Sequence, residues 1–178
     1  MGKLTLVLGG VRSGKSQFAE RLASRYDTVT YLATGVVTDQ EMADRVARHQ
    51  ASRPAHWRTV EEPYHPAAAL TGTKGVILLD CVTFLVSNHI LQDEAEGEQK
   101  ALAELEALLA LDADIIAVSN EVGMGVVPAY PLGRLFRDAV GRANQFLASR
   151  AEKVYFCVAG IPVELKRLAA VLAEEDQA

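Results

Sequence analysis

The chain has 178 residues, 49% hydrophobic and 23% charged, with 18 Lys and Arg against 23 Asp and Glu for a net charge of −5. That length suits one domain with a real core and is short for two, so a single domain over residues 1–178 is expected. The acidic balance gives no footprint for nucleic acid. The most apolar stretch, Gly75 to Val86, is interrupted by Asp80 and too short to span a bilayer, so a soluble, cytoplasmic protein with no nucleic-acid partner and no membrane span is expected.

Lys3 to Leu8 is rich in β-formers without alternation, the pattern of a strand buried on both faces. It runs into Gly9, Gly10, Val11, Arg12, Ser13, Gly14, Lys15 and Ser16, a G-x-x-x-x-G-K-S phosphate loop. In such a loop backbone N–H groups turn inward on a polyphosphate, the lysine (Lys15) reaches its terminal phosphates, and the serine hydroxyl (Ser16) ligates Mg²⁺. A helix beginning inside the motif, with Phe18, Ala19, Leu22 and Ala23 on one face, adds its positive dipole end. Nucleoside triphosphate binding follows from this stretch alone.

Val29 to Ala33 is predicted as a second strand, with Thr34-Gly35 as a loop at its carboxyl end, where ligands sit in open α/β sheets. A helix is predicted over 39–52, closed by Arg53-Pro54. Trp57 to Glu61 reads as a strand, His65 to Leu70 as a short helix, Gly75 to Asp80 as a buried strand, and Glu94 to Leu111 as an amphipathic helix. Asp114 to Val118 is a further strand, followed by a loop through Pro128. A long helix from Tyr130 to Ala151, a strand from Lys153 to Val158 and a helical tail from Glu164 to Glu174 complete the chain. The alternation specifies an α/β fold with a mainly parallel sheet covered on both faces. Cys81 and Cys157 end apolar runs and read as buried thiols in a reducing compartment.

Several residues suggest chemistry. Asp80, ending an apolar strand, suits a second Mg²⁺ carboxylate, although a strand-end Asp also caps helices. His49 has Arg45 four residues before it and Arg53 four after. A cationic stripe there binds phosphates and keeps the imidazole neutral and nucleophilic; equally, His49 could continue the core face of Met42 and Val46. Glu61 and Glu62 could accept hydrogen bonds from a ribose or a guanine edge, or form a solvated turn. Asn120-Glu121 lies at the carboxyl end of a predicted strand, the same sheet edge as the phosphate loop, and reads as site or loop scaffold.

Together Gly9-Gly10-x-Arg12-Ser13-Gly14-Lys15-Ser16, Arg45-x-x-x-His49 with Arg53-Pro54, Trp57 and Glu61-Glu62, Leu79-Asp80-Cys81, and Asn120-Glu121-Val122-Gly123-x-Gly125-x-Val127-Pro128 resemble the bifunctional adenosylcobinamide kinase / adenosylcobinamide-phosphate guanylyltransferase family. Val11 stands where that family usually has a small residue. The resemblance covers nearly the whole chain and implies a RecA-like P-loop NTPase fold. It further implies phosphorylation of adenosylcobinamide by ATP or GTP, then transfer of GMP from GTP to adenosylcobinamide phosphate through a GMP-histidine at His49. It implies a homotrimer as well. A plain P-loop kinase of a small hydroxyl substrate, or a GTP-binding switch, fits the phosphate loop without His49; against the switch, no Asn-Lys-x-Asp motif is present and no Asp-x-x-Gly follows Asp80.

Overall fold

The structure, a computed structural model, describes residues 2–36, 40, 44, 50 and 53–169. A seven-stranded sheet runs in the order β3-β2-β4-β5-β1-β6-β7. Its strands are β1 (Leu4–Gly9), β2 (Val29–Ala33), β3 (Arg58–Glu61), β4 (Val76–Asp80), β5 (Asp114–Asn120), β6 (Lys153–Val158) and β7 (Ile161–Glu164). β1 to β6 are mutually parallel and only β7, paired to β6, is antiparallel.

Successive side chains of a strand point to opposite faces, and both faces of this sheet are apolar. Leu6 and Leu8 of β1, Leu32 of β2, Ile77 and Leu79 of β4 and Ile115 and Ala117 of β5 pack on one face. There they meet α2 (Pro66–Ala69), α3 (Val82–Gln92), α4 (Gly97–Leu109) and α5 (Pro131–Arg150). The intervening Val7, Tyr31, Val76, Leu78, Ile116 and Val118 pack on the other face against Ala19 and Ala23 of α1 (Lys15–Ala23), with Trp57. Each fully buried leucine contributes about 1.5–3 kcal/mol, so the double layer explains why these strands read as continuous apolar runs.

The predicted strands and the helices predicted over 94–111 and 130–151 are present with ends displaced by up to three residues. Of the predicted helix over 39–52, only Gln40, Asp44 and Gln50 belong to the described residues, and Arg45 and His49 lie outside them. Two elements were not specified by sequence. The helix α3 is buried nearly all round, including Val82, Leu85, Val86, Asn88, His89 and Ile90, so it lacks the one-sided stripe that marks a surface helix. The strand β7 carries Pro162, which a central strand excludes but an edge strand tolerates. It returns from β6 through Ala159-Gly160 at φ 51° and 81°, the two positive values of a tight hairpin turn. The predicted tail helix over 164–174 is seen as α6 (Leu165–Leu168), and residues beyond 169 lie outside the described set. Cys81 and Cys157 are both free and buried. Burial pushes the Cys81 thiol up to about 12.

Candidate active site

Parallel pairing brings the carboxyl ends of six strands to one edge, and the sheet order sets their spacing. The phosphate loop leaves β1, the tip of β5 stands next to it with Gly9 opposite Asn120, and Asp80 ends β4 one strand further on. Two strand spacings of about 4.8 Å put β4 roughly 10 Å from β1, close enough for one polyphosphate to span the gap.

The loop is built by backbone geometry. Gly14, the N-cap of α1, has φ 88° and ψ 4°, a conformation costing other residues about 1–2 kcal/mol; a Cβ there would also stand 3.1 Å from Gly160 Cα. Gly160 N–H donates to Ser13 O at 3.0 Å, so the β6–β7 turn braces the loop from behind. Lys15 Nζ donates to Gly10 O at 3.1 Å, which places the ammonium over the first half of the loop. The first-turn N–H groups of α1, which include Ser16, have no acceptor within the helix and suit phosphate oxygens. Val11 is 86% exposed, Arg12 is also exposed, and Ser13 is buried with its Oγ unpartnered.

Around Asp80 the structure adds a residue that sequence reading missed. Tyr31 Oη donates to Asp80 Oδ2 at 2.5 Å. The guanidinium of Arg53 lies over the Tyr31 ring, 3.3 Å from its centroid, with Nε and Nη1 buried and without a hydrogen-bond partner among the described residues. Burial, and then the Asp80 charge, raise the Tyr31 pKa, so the hydroxyl stays a donor. The available signal was a lone tyrosine in an apolar strand, whose buried hydroxyl requires a partner.

Two residues expected at the nucleotide also bond within the protein. Thr34 is fully buried; its Oγ1 donates to Cys81 O at 2.7 Å and accepts Cys81 N–H at 3.0 Å. Its carbonyl accepts from Asn88 Nδ2 at 2.7 Å, and the same amide also reaches Pro63 O at 2.9 Å. Thr34 therefore locks the strand ends to α3, and Gly35 follows it in the loop. Glu62 Oε1 accepts the N–H groups of Tyr64 at 2.9 Å and His65 at 3.0 Å, so it forms a turn. These bonds, His65 first, hold the Glu62 carboxyl below its ordinary range. Glu61 accepts from Gln50 Nε2 at 3.0 Å at the far edge of the sheet.

Asn120 is held by Thr83 of α3: Thr83 Oγ1 accepts both the Asn120 N–H, at 2.9 Å, and Nδ2, at 3.1 Å. Beside it a hollow of about 340 Å³ opens over the phosphate loop, lined by Gly10, Val11, Arg12, Ser13, Glu121 and Met124 together with residues 156–159. A second hollow, about 410 Å³ and lined in part by Asp27, His56, Arg58 and Lys74, lies at the start of β2 and β3. That is the opposite end of the sheet from the phosphate loop.

Residues 5–165 match the family described as cobinamide kinase / cobinamide phosphate guanyltransferase. The chain belongs to that family. It is 48% identical over 168 residues to the bifunctional adenosylcobalamin biosynthesis protein CobP of Pseudomonas aeruginosa, covering 90% of this chain and 96% of that one. To the bifunctional adenosylcobalamin biosynthesis protein CobU of Escherichia coli it is 41% identical over 180 residues, covering 92% and 99%. The fold is similar to that of an ATPase from the type III secretion system of pathogenic bacteria, with a TM-score of 0.60 at 12% identity over 97% of this chain and 61% of that one. The mainly parallel α/β fold is thus shared well outside the family. Among the described residues no helix is long and apolar enough to cross a membrane.

Proposed function

We propose that this protein is a bifunctional enzyme of cobalamin biosynthesis. It phosphorylates the aminopropanol hydroxyl of adenosylcobinamide with ATP or GTP, then transfers GMP from GTP to adenosylcobinamide phosphate, giving adenosylcobinamide-GDP. The observation that carries this reading is a complete phosphate loop and Asp80 on one sheet edge, in a chain matching bifunctional relatives over nearly its whole length.

In the kinase step the loop N–H groups and Lys15 bind the β- and γ-phosphates, orient them, and stabilise charge on the transferring group. Mg²⁺ suits the oxygens offered here: Ser16 lies in the first turn of α1, and Asp80 is anchored through Oδ2 by Tyr31. Among the described residues no cluster of three His, Cys, Asp or Glu side chains is present, which agrees with an ion held by few protein ligands besides phosphates and water. When bound, Mg²⁺ would neutralise charge developing on the transferring phosphoryl group.

In the guanylyl step His49 is the nucleophile. Its imidazole nitrogen forms a bond to the α-phosphorus of GTP as pyrophosphate leaves. A phosphate oxygen of adenosylcobinamide phosphate then attacks the same phosphorus and frees the histidine, which is ordinary covalent catalysis in two displacements. Arg45 and Arg53 offset the phosphate charge; the unpartnered buried N–H groups of Arg53 support that role. The protein acts in the cytoplasm and assembles as a homotrimer, in line with exposed Val126, Tyr130 and Ile161 on its surface.

Supplying adenosylcobinamide with ATP, then GTP, and weighing the corrinoid products by mass spectrometry tests the whole reading. Successive appearance of the phosphate and the GDP conjugate is expected. Phosphate alone would leave a plain kinase, and an unchanged corrinoid with GTP hydrolysed would leave a switch.

A further inference from the structure

Phosphoryl transfer to an alcohol releases a proton, and the groups assigned above include no acceptor for it. Four carboxylates stand at or just beyond the carboxyl edge among the described residues. Asp80 is bonded to Tyr31 and suits the metal. Glu61, at the end of β3, accepts from Gln50 and stands four strand spacings or roughly 19 Å from β1, and Glu62 follows it at that distant edge. Glu121 differs in its position beside the phosphate loop. Its N–H donates to Gly9 O at 3.2 Å, which fixes it to the start of the phosphate loop. It lines the hollow formed with Gly10 to Ser13. The loop's first half is also where Lys15 Nζ sits, 3.1 Å from Gly10 O, and that lysine marks the terminal-phosphate end of a bound nucleotide. Glu121 Oε1 is held by Gly123 N–H at 2.7 Å, and Oε2 has no partner among the described residues. The hollow, about 340 Å³, lies at the small end of ligand pockets, a size for an extended arm and not for a macrocycle. Its rim carries exposed Val11 and Met124.

We infer that Glu121 is the catalytic base of the kinase step, a role that rests on the proposed function. The acceptor arm enters the hollow beside the loop. Its hydroxyl oxygen forms a bond to the γ-phosphorus while the bond from that phosphorus to the β,γ-bridging oxygen breaks, its electron pair leaving with the nucleoside diphosphate. The hydroxyl proton passes to Glu121 Oε2 and from there to solvent. Oε1, tied to Gly123, keeps the carboxylate aimed, and positioned bases of this kind contribute about 10²–10⁴-fold.

The test uses the full chain with Glu121→Gln, whose amide oxygen can still accept from Gly123. The measurements are kcat for adenosylcobinamide phosphate formation with ATP, and the affinity for a fluorescent GTP analogue. The expected result is a fall in kcat of about 10²-fold or more with nucleotide affinity unchanged, and with Glu121→Asp recovering part of the loss. A Glu121→Gln protein with the parent kcat overturns the assignment. So does one that loses nucleotide binding together with kinase activity, since Glu121 would then only support the loop. A parent protein that binds nucleotide and forms no corrinoid phosphate contradicts the proposed function, and the role of Glu121 falls with it.

Discussion

Tyr31 connects two residues that sequence reading treated separately, because its hydroxyl holds Asp80 while its ring carries the Arg53 guanidinium. A hydrogen bond to a charged group contributes about 1.5–3 kcal/mol, and loss of a partner that orients a metal ligand lowers metal affinity about 10–100-fold. With Asp80 as the proposed Mg²⁺ ligand, Tyr31→Phe is expected to shift the Mg²⁺ dependence of the kinase rate to higher concentration while the fold persists. An unchanged Mg²⁺ titration would detach Asp80 from the metal. Thr34 acts at the same scale through structure alone. Thr34→Val strands the Cys81 N–H, and chemical denaturation is expected to show a loss of about 1–3 kcal/mol.

The loop between β1 and α1 depends on Gly14 in its left-handed conformation and on the β6–β7 turn behind it. Gly14→Ala adds about 1–2 kcal/mol of backbone strain and crowds Gly160, so titration with a fluorescent nucleotide should show binding severely weakened. At the turn into α2, the depressed Glu62 pKa contributes stability that is present above the ordinary glutamate pKa and lost as pH falls through the folded value. Urea unfolding of Glu62→Gln should show a deficit at neutral pH that closes in acid. Elements with a periodic or uninterrupted apolar pattern were legible in the sequence, as β1, β4 and α5 were. The helix α3 was not, because burial all round erases its stripe, and β7 was masked by Pro162 at an edge where proline is tolerated. The phosphate loop was readable because its chemistry is local. The buried role of Thr34 was not, since its partners Cys81 and Asn88 are 47 and 54 residues away.

Across the whole molecule one edge of the sheet gathers the phosphate loop, Asp80, Asn120 and Glu121, while the larger hollow lies at the other end. The residues proposed for the kinase step share that edge, and the proposed guanylyl step depends on His49, which lies outside the described residues. Light scattering of the purified protein is expected to give three chain masses, with a monomer mass contradicting the trimer. The most direct measurement is incubation with Mg²⁺ and GTP labelled on the α-phosphate, followed by denaturing electrophoresis and acid or base treatment, with His49→Ala alongside. Label that is lost in acid, stable in base and missing from His49→Ala is the expected result. An unlabelled protein that still binds GTP would contradict the GMP-histidine and with it the second of the two proposed reactions.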